Sequence, residues 1–278
     1  MTGLSTSLEF LRGAAKRGEP VVIVRVAETK GSAPRGDDAW MAVAKDRTAA
    51  TIGGGQLEWL AIAHARAILD AAAVSGRISV ALGPEIGQCC GGRVELEFRM
   101  ADPAALAELE HEAAGMISRF AQVLIFGAGH TGKALAKAMS PLPVKVSLID
   151  ERPEQLAGLP DAVRSVASAL PESDVRSAPP GSAFVAMTHL HSLDFQIVAA
   201  ALLRNDAAYC GMIGSGTKRA VFESWFEEQG HDRALAGNLV CPIGGTAVRD
   251  KRPEVIAALT AAEILAALYA RSSSQGSG

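Results

Sequence analysis

Val123-Leu124-Ile125-Phe126-Gly127-Ala128-Gly129-His130-Thr131-Gly132 is the stretch whose reading decides the fold. Four apolar residues in an unbroken run predict a strand buried on both faces. The glycines that follow stand at Gly-x-Gly-x-x-Gly spacing, and a helical pattern then continues through Met139. A second apolar run, Val144 to Ile149, ends on Asp150, about 20 residues beyond the glycines, where dinucleotide-binding folds carry an acidic residue. Each position has a reason. Gly127 permits the tight turn, Gly129 lets a phosphate approach the backbone, and Gly132 lets the helix lie close to the strand. The helix start offers unpaired N–H groups to an anion, and Asp150 is placed to accept from ribose hydroxyls. The competing account is a Rossmann-like domain whose glycines only make a turn.

The pattern continues outward from this point. Strand-like runs at Ala183 to Met187 and Ala208 to Ile213 alternate with helical stretches at Phe195 to Arg204, Lys218 to Gln229 and Glu254 to Tyr269. Such alternation predicts a doubly wound parallel sheet covered on both faces. The α/β reading is therefore a Rossmann-like domain over 120–271, preceded by an α+β domain over 1–119. In the first domain, helices are expected at Ser7 to Arg17, from Leu57 onward and over 101–119. Strands are expected at Val21 to Val26, Trp40 to Ala44, Arg77 to Leu82 and Arg93 to Arg99, with loop chemistry over Thr29 to Gly36. Residues 272–278, with no apolar side chain to bury, are expected to form a disordered tail.

Composition narrows the function. A formal net charge of -3 gives no electrostatic reason to seek nucleic acid or an anionic membrane. No uninterrupted apolar run approaches a membrane span of about 20 residues. Met1 to Leu11 carries no signal pattern, so a cytoplasmic protein is expected. The four cysteines, Cys89, Cys90, Cys210 and Cys241, form no Cys-x-x-Cys pair, which argues against structural zinc and for free thiols.

Several further clusters carry candidate chemistry. Gly87-Gln88-Cys89-Cys90-Gly91-Gly92 leaves two soft sulfur ligands accessible among glycines. One of them ligates a soft metal or receives transferred sulfur; otherwise a cysteine simply packs as a small apolar residue. Gly53-Gly54-Gly55 precedes a helix and either offers N–H groups to an anion or forms a packed turn with Glu58 as a first-turn charge. Gly214-Ser215-Gly216-Thr217-Lys218-Arg219 sets hydroxyls and cations at a helix start, with Ser215 and Lys218 as anion contacts, against the plainer reading of a solvated Lys-Arg pair. His189 and His191 follow a strand at the ligand edge, as partial metal ligands or as loop and capping residues. His130 is placed to bond a phosphate, and His64 lies on an apolar helix face.

Taken in order, these segments resemble the XdhC/CoxI family. The resemblance is carried by Gly53-Gly54-Gly55-Gln56-Leu57-Glu58-Trp59, the Cys89-Cys90 loop, the Gly127 to Gly132 loop with its histidine, and Thr188-His189 followed by Asp194. Gly214 to Arg219, Pro242-Ile243-Gly244 and Pro253 to Ala257 complete it. It covers residues about 21 to 268. Gln56, where the CoxI branch often has cysteine, places the chain nearer the xanthine dehydrogenase branch. Cys241 has no counterpart in the pattern. The resemblance implies a chaperone that binds molybdenum cofactor (molybdopterin), with Cys89 or Cys90 at its molybdenum or dithiolene end, during sulfuration by a cysteine desulfurase and passes it to apo xanthine dehydrogenase, often as a homodimer. Two alternatives remain beside it: an NAD(P)-dependent oxidoreductase using the Gly127 loop and Asp150, and a nucleotide-binding regulator.

Overall fold

The computed structural model describes residues 3–31, 39–71, 75–82 and 92–275. The chain divides into two compact units, one over Gly3–Met116 and one from Ile117 onward.

The first unit is a five-stranded antiparallel sheet with helices on both faces. Helix α1 (Gly3–Arg17) is followed by β1 (Val22–Lys30), β2 (Trp40–Val43), β3 (Thr48–Ala50), α2 (Gly55–Ala71), β4 (Ser75–Ala81), β5 (Arg93–Met100) and α3 (Pro103–Ser118). The strand order is β3-β2-β1-β5-β4. Alternation along β1 sends Val22, Val24 and Val26 to one face, against Leu57, Ala61, Ala65 and Ile68 of α2. Ile23 points to the other face and packs with Leu8 and Leu11 of α1 and Ala105 and Leu109 of α3. Two differences from the sequence reading stand out. β1 runs on through Thr29-Lys30, where loop chemistry was expected, because β5 pairs with it to its end across a register shift between Val26 and Glu28. β3 leaves no signal in the sequence; its three residues are too few to show a period.

The second unit contains β6 (Gln122–Phe126), α4 (His130–Met139), β7 (Lys145–Asp150), β8 (Val163–Ala167), α5 (Pro171–Ser177), β9 (Ala183–Ala186), α6 (His191–Leu203), β10 (Tyr209–Met212), α7 (Gly216–Glu228), β11 (Leu239–Val240) and α8 (Pro253–Gln275). The order β11-β10-β9-β6-β7-β8 is all parallel. It is the doubly wound order, with the chain reversing direction across the sheet between β6 and β9. Val123 and Ile125 face a core shared with α4 and α8, and Leu124 and Phe126 face one shared with α5, α6 and α7. β8, α5 and β11 escaped the sequence reading. β8 is an edge strand with mostly exposed side chains, α5 is seven residues long and β11 is two.

Two expectations about the C-terminus need correction. α8 continues through Gln275, so Ser272 to Gln275 belong to a helix and not to a tail. Extending an existing helix needs no apolar face, since each added residue makes one more backbone bond. Residues 253–271 are also long and apolar enough, by length and composition, to cross a membrane. Glu254 and Glu263 interrupt the run and conceal it from a search for unbroken apolar sequence. Ala257, Thr260, Ala261 and Ile264 of this helix are buried in the second unit, as a core helix requires.

Candidate functional site

The reversal of winding between β6 and β9 opens a crevice at the C-terminal ends of the strands, where α/β sheets bind ligands. The glycine loop lies at its centre. Gly127 has φ +108°, and a Cβ there would stand 2.3 Å from the Met187 carbonyl oxygen. A Cβ on Gly132 would stand 1.9 Å from the Gly127 carbonyl oxygen. Both must be glycine for β6, β9 and α4 to approach one another. Gly129 differs: its Cβ would meet nothing within 4 Å. It is the N-cap of α4 and its lack of a side chain leaves the first helical amides without a side-chain cap. Open space before uncapped N–H groups is what an incoming phosphate needs. His130 is exposed at the same place.

Asp150 is used differently from the sequence expectation. It is buried, and its Oδ2 accepts from the Ala128 N–H at 2.7 Å. Arg152 donates to it three times: from its backbone N–H (3.0 Å) and Nε (2.9 Å) to Oδ1, and from Nη2 (3.1 Å) to Oδ2. Burial by itself would raise this carboxyl, but the Arg152 side chain and the two backbone N–H groups outweigh it and hold the pKa at about 2. With both oxygens taken, Asp150 braces the glycine loop and has little left to offer a ribose. The crevice beside it, lined by Gly127, Asp150, Ser168, Thr188 and His189, holds only about 10 Å³, roughly one water molecule. Arg152 was not singled out in the sequence, although its place two residues after Asp150 is the spacing of a short-range side-chain pair.

On the other side of the switch point, Asp194 is wholly inaccessible. Its Oδ1 accepts from the Thr188 N–H and from Thr188 Oγ1, both at 2.8 Å, and its Oδ2 pairs with Lys218 Nζ at 2.5 Å. Lys218 also donates to the Ile213 carbonyl at 3.0 Å. The lysine therefore points inward and ties the β10–α7 loop to the β9–α6 loop instead of reaching out to an anion. Ser215 caps α7 by accepting from the Lys218 N–H at 3.3 Å. Cys241 Sγ lies 3.8 Å from the Ser215 carbonyl oxygen. Burial pushes its thiol up, against the pull of Lys218 and Arg219.

The histidines separate. His191 opens α6, while His189 stands in the preceding loop with Nε2 3.5 Å from Glu151 Oε1. They share no strand face, because β9 ends at Ala186. Among the described residues no group of three or more His, Cys, Asp or Glu is placed to hold a metal ion. His64 packs against Phe98, with ring centroids 4.6 Å apart.

In the first unit, Gly53, Gly54 and Gly55 all have positive φ (126°, 79° and 66°) and lead into α2. The Glu58 carboxylate accepts from the Gly54 N–H at 3.0 Å and from the Thr51 hydroxyl, and Thr51 Oγ1 accepts from the Gly53 N–H at 3.1 Å. A carboxylate of the chain itself thus occupies the place considered for an external anion, and the packed-turn alternative describes the geometry. Gln88, Cys89 and Cys90 lie outside the described residues.

The fold and crevice define a two-unit α/β protein with a Rossmann-type glycine loop at the switch point of its parallel sheet. Residues 123–264, just over half of the chain, match the model of the XdhC Rossmann domain, and residues 14–78 match that of the XdhC and CoxI family. The chain belongs to the XdhC family, and membership points to a part in xanthine dehydrogenase maturation. A crystal structure of a Bacillus halodurans protein described as a xanthine dehydrogenase is similar over 98% of this chain and 97% of its own, with a TM-score of 0.72 and 18% identity. At that identity the likeness shows the shared fold. No curated protein matches the chain.

Proposed function

We propose that this protein is a molybdenum-cofactor chaperone. It holds molybdopterin-bound molybdenum during sulfuration by a cysteine desulfurase and delivers it to apo xanthine dehydrogenase, as a cytoplasmic homodimer. The observation that carries the reading is the open space at Gly129 before the uncapped start of α4, in a chain whose residues 14–78 and 123–264 both match XdhC models. The residues fit the phosphate end of the cofactor. The His130 side chain and the first amides of α4 are the donors, and Gly129 gives the approach. The crevice beside Asp150, at about 10 Å³, is too small to take the pterin ring, so the glycine loop would hold only the phosphate end. Cys89 and Cys90 supply the soft sulfur that molybdenum or transferred sulfur requires.

An NAD(P)-dependent oxidoreductase would need Asp150 free for ribose and room for an adenine next to it. The hydrogen bonds to Asp150 and the narrow crevice both count against that reading.

The test is anaerobic purification from a cofactor-producing host, followed by molybdenum analysis and oxidised-pterin fluorescence. Wild type is compared with Gly129→Asp and with a Cys89→Ala, Cys90→Ala double variant. Pterin and metal near one per chain in the wild type, lost in Gly129→Asp, support the proposed loop. Loss in the cysteine variant adds the sulfur contact. Absence of pterin from the wild type, even after reconstitution with free cofactor, overturns the chaperone.

A further inference from the structure

We infer that Arg152 is a specificity-determining residue of the second unit: its guanidinium takes the place of a ribose diol on Asp150 and so bars nucleotides with a free diol from the switch point. A vicinal diol offers two adjacent donors to one carboxylate, and dinucleotide-binding folds use the acidic residue at this position to receive them. The guanidinium presents the same fork, with Nε 2.9 Å from Oδ1 and Nη2 3.1 Å from Oδ2. The Ala128 N–H bonds Oδ2 and the Arg152 N–H bonds Oδ1. A carboxylate accepts about four hydrogen bonds, so nothing is left over for a sugar. The crevice that borders Asp150, beside Gly127, Ser168 and His189, holds about 10 Å³ and has no room for a ribose.

The local chain holds the guanidinium in place. Pro153 follows Arg152 and confines it to extended backbone, as its φ of -101° and ψ of 102° show. In that conformation its own N–H reaches Oδ1 at 3.0 Å, so backbone and side chain close on the same carboxylate. The Asp150 side chain is 3% exposed and that of Arg152 36%. The arginine thus covers the carboxylate on its solvent side, and trimming it uncovers the acceptor without opening the core. The exclusion has a use that rests on the chaperone reading: common cellular nucleotides do not compete with a pterin phosphate for the glycine loop.

The experiment is a titration of the full chain with NADH, read by nicotinamide fluorescence and by calorimetry. Arg152→Ala is expected to bind NADH at least about tenfold more tightly than the wild type, since two charge-assisted bonds to the diol become available. Adding Asp150→Asn to Arg152→Ala is expected to abolish the gain. Thermal melts show whether each variant folds; if Arg152→Ala does not, Arg152→Met, which keeps the length of the side chain without its donors, is judged by the same criterion. A folded Arg152 variant that binds NADH no more tightly than the wild type overturns the inference. So does a gain that survives Asp150→Asn, which would place the nucleotide elsewhere. Both readouts are independent of pterin retention, so failure here and failure of the chaperone are told apart.

Discussion

Asp150, the last residue of β7, accepts a hydrogen bond at 2.7 Å from the Ala128 N–H in the glycine loop, across 22 residues of sequence. The side chain that the spacing assigns to a ligand is thus built into the glycine loop itself. With Arg152 covering its other lone pairs, it sets the loop shape before any ligand arrives.

This bond makes stability depend on acid. The Asp150 pKa is lowered to about 2 from 3.8, so its contribution is fully present above about pH 4 and is lost as the pH falls towards 2. Asp150→Asn is expected to cost on the order of 1–2 kcal/mol at neutral pH. The gap between variant and wild type should close as the pH falls through 4 to 2. Thermal melts by circular dichroism across that range check it; a gap independent of pH would show that the charge contributes nothing.

The three glycines of the loop should respond differently to substitution. Gly132→Ala drives a Cβ to 1.9 Å from the Gly127 carbonyl oxygen, and forcing α4 off β6 is expected to cost about 3 kcal/mol or more. Gly127→Ala meets the Met187 carbonyl at a positive φ and should be as damaging. Gly129→Asp has φ -70° and open space. An aspartate at an N-cap is favourable, so stability should hold or rise by up to about 1 kcal/mol. Its carboxylate fills the phosphate position, so cofactor retention should be lost. Melting temperature and pterin content, measured on the same samples, separate the two effects.

Asp194 and Lys218 form a pair that is costly to break from one side. Asp194→Ala leaves a mostly buried ammonium without its counter-charge and should destabilise the second unit by about 3–5 kcal/mol. A double variant, Asp194→Leu with Lys218→Met, removes both charges and is expected to recover a large part of that loss. Urea denaturation of Asp194→Leu alone, Lys218→Met alone and the double variant measures the coupling; strict additivity would contradict the pairing.

In the first unit, Glu58→Ala removes the acceptor for the Gly54 N–H and the Thr51 hydroxyl. A loss of about 1–2 kcal/mol is expected, and hydrogen exchange at Gly54 should accelerate. Glu58→Gln keeps an acceptor oxygen and should retain more of the stability. If the glycines instead served an external anion, Glu58→Ala would strengthen anion binding, which a sulfate titration detects.

Much of this architecture is legible in the sequence. The unbroken run Val123 to Phe126, the glycine spacing and Asp150 placed the Rossmann unit, and β1, β5 and α2 announced themselves by period. What stayed hidden was short or exposed: β3, β8, α5 and β11 carry too few buried side chains to leave a pattern. Site residues were legible in kind but not in use. Gly127 and Gly132 make the turn and the close helix–strand approach that their spacing implies, whereas Lys218 turns inward, Glu58 fills the turn it precedes, and His189 and His191 part company at the start of α6.

The sequence by itself determined the two units, the doubly wound sheet and the glycine turn that opens α4, because period and glycine spacing act through bonds between near neighbours. Only the tertiary structure decided which polar groups remain for a ligand. Asp194 finds Lys218 across 24 residues, and Tyr209 reaches Glu263 across 54. A buried charge or hydroxyl must be satisfied by whatever partner packing brings beside it, and that partner comes from another element, which no local pattern names.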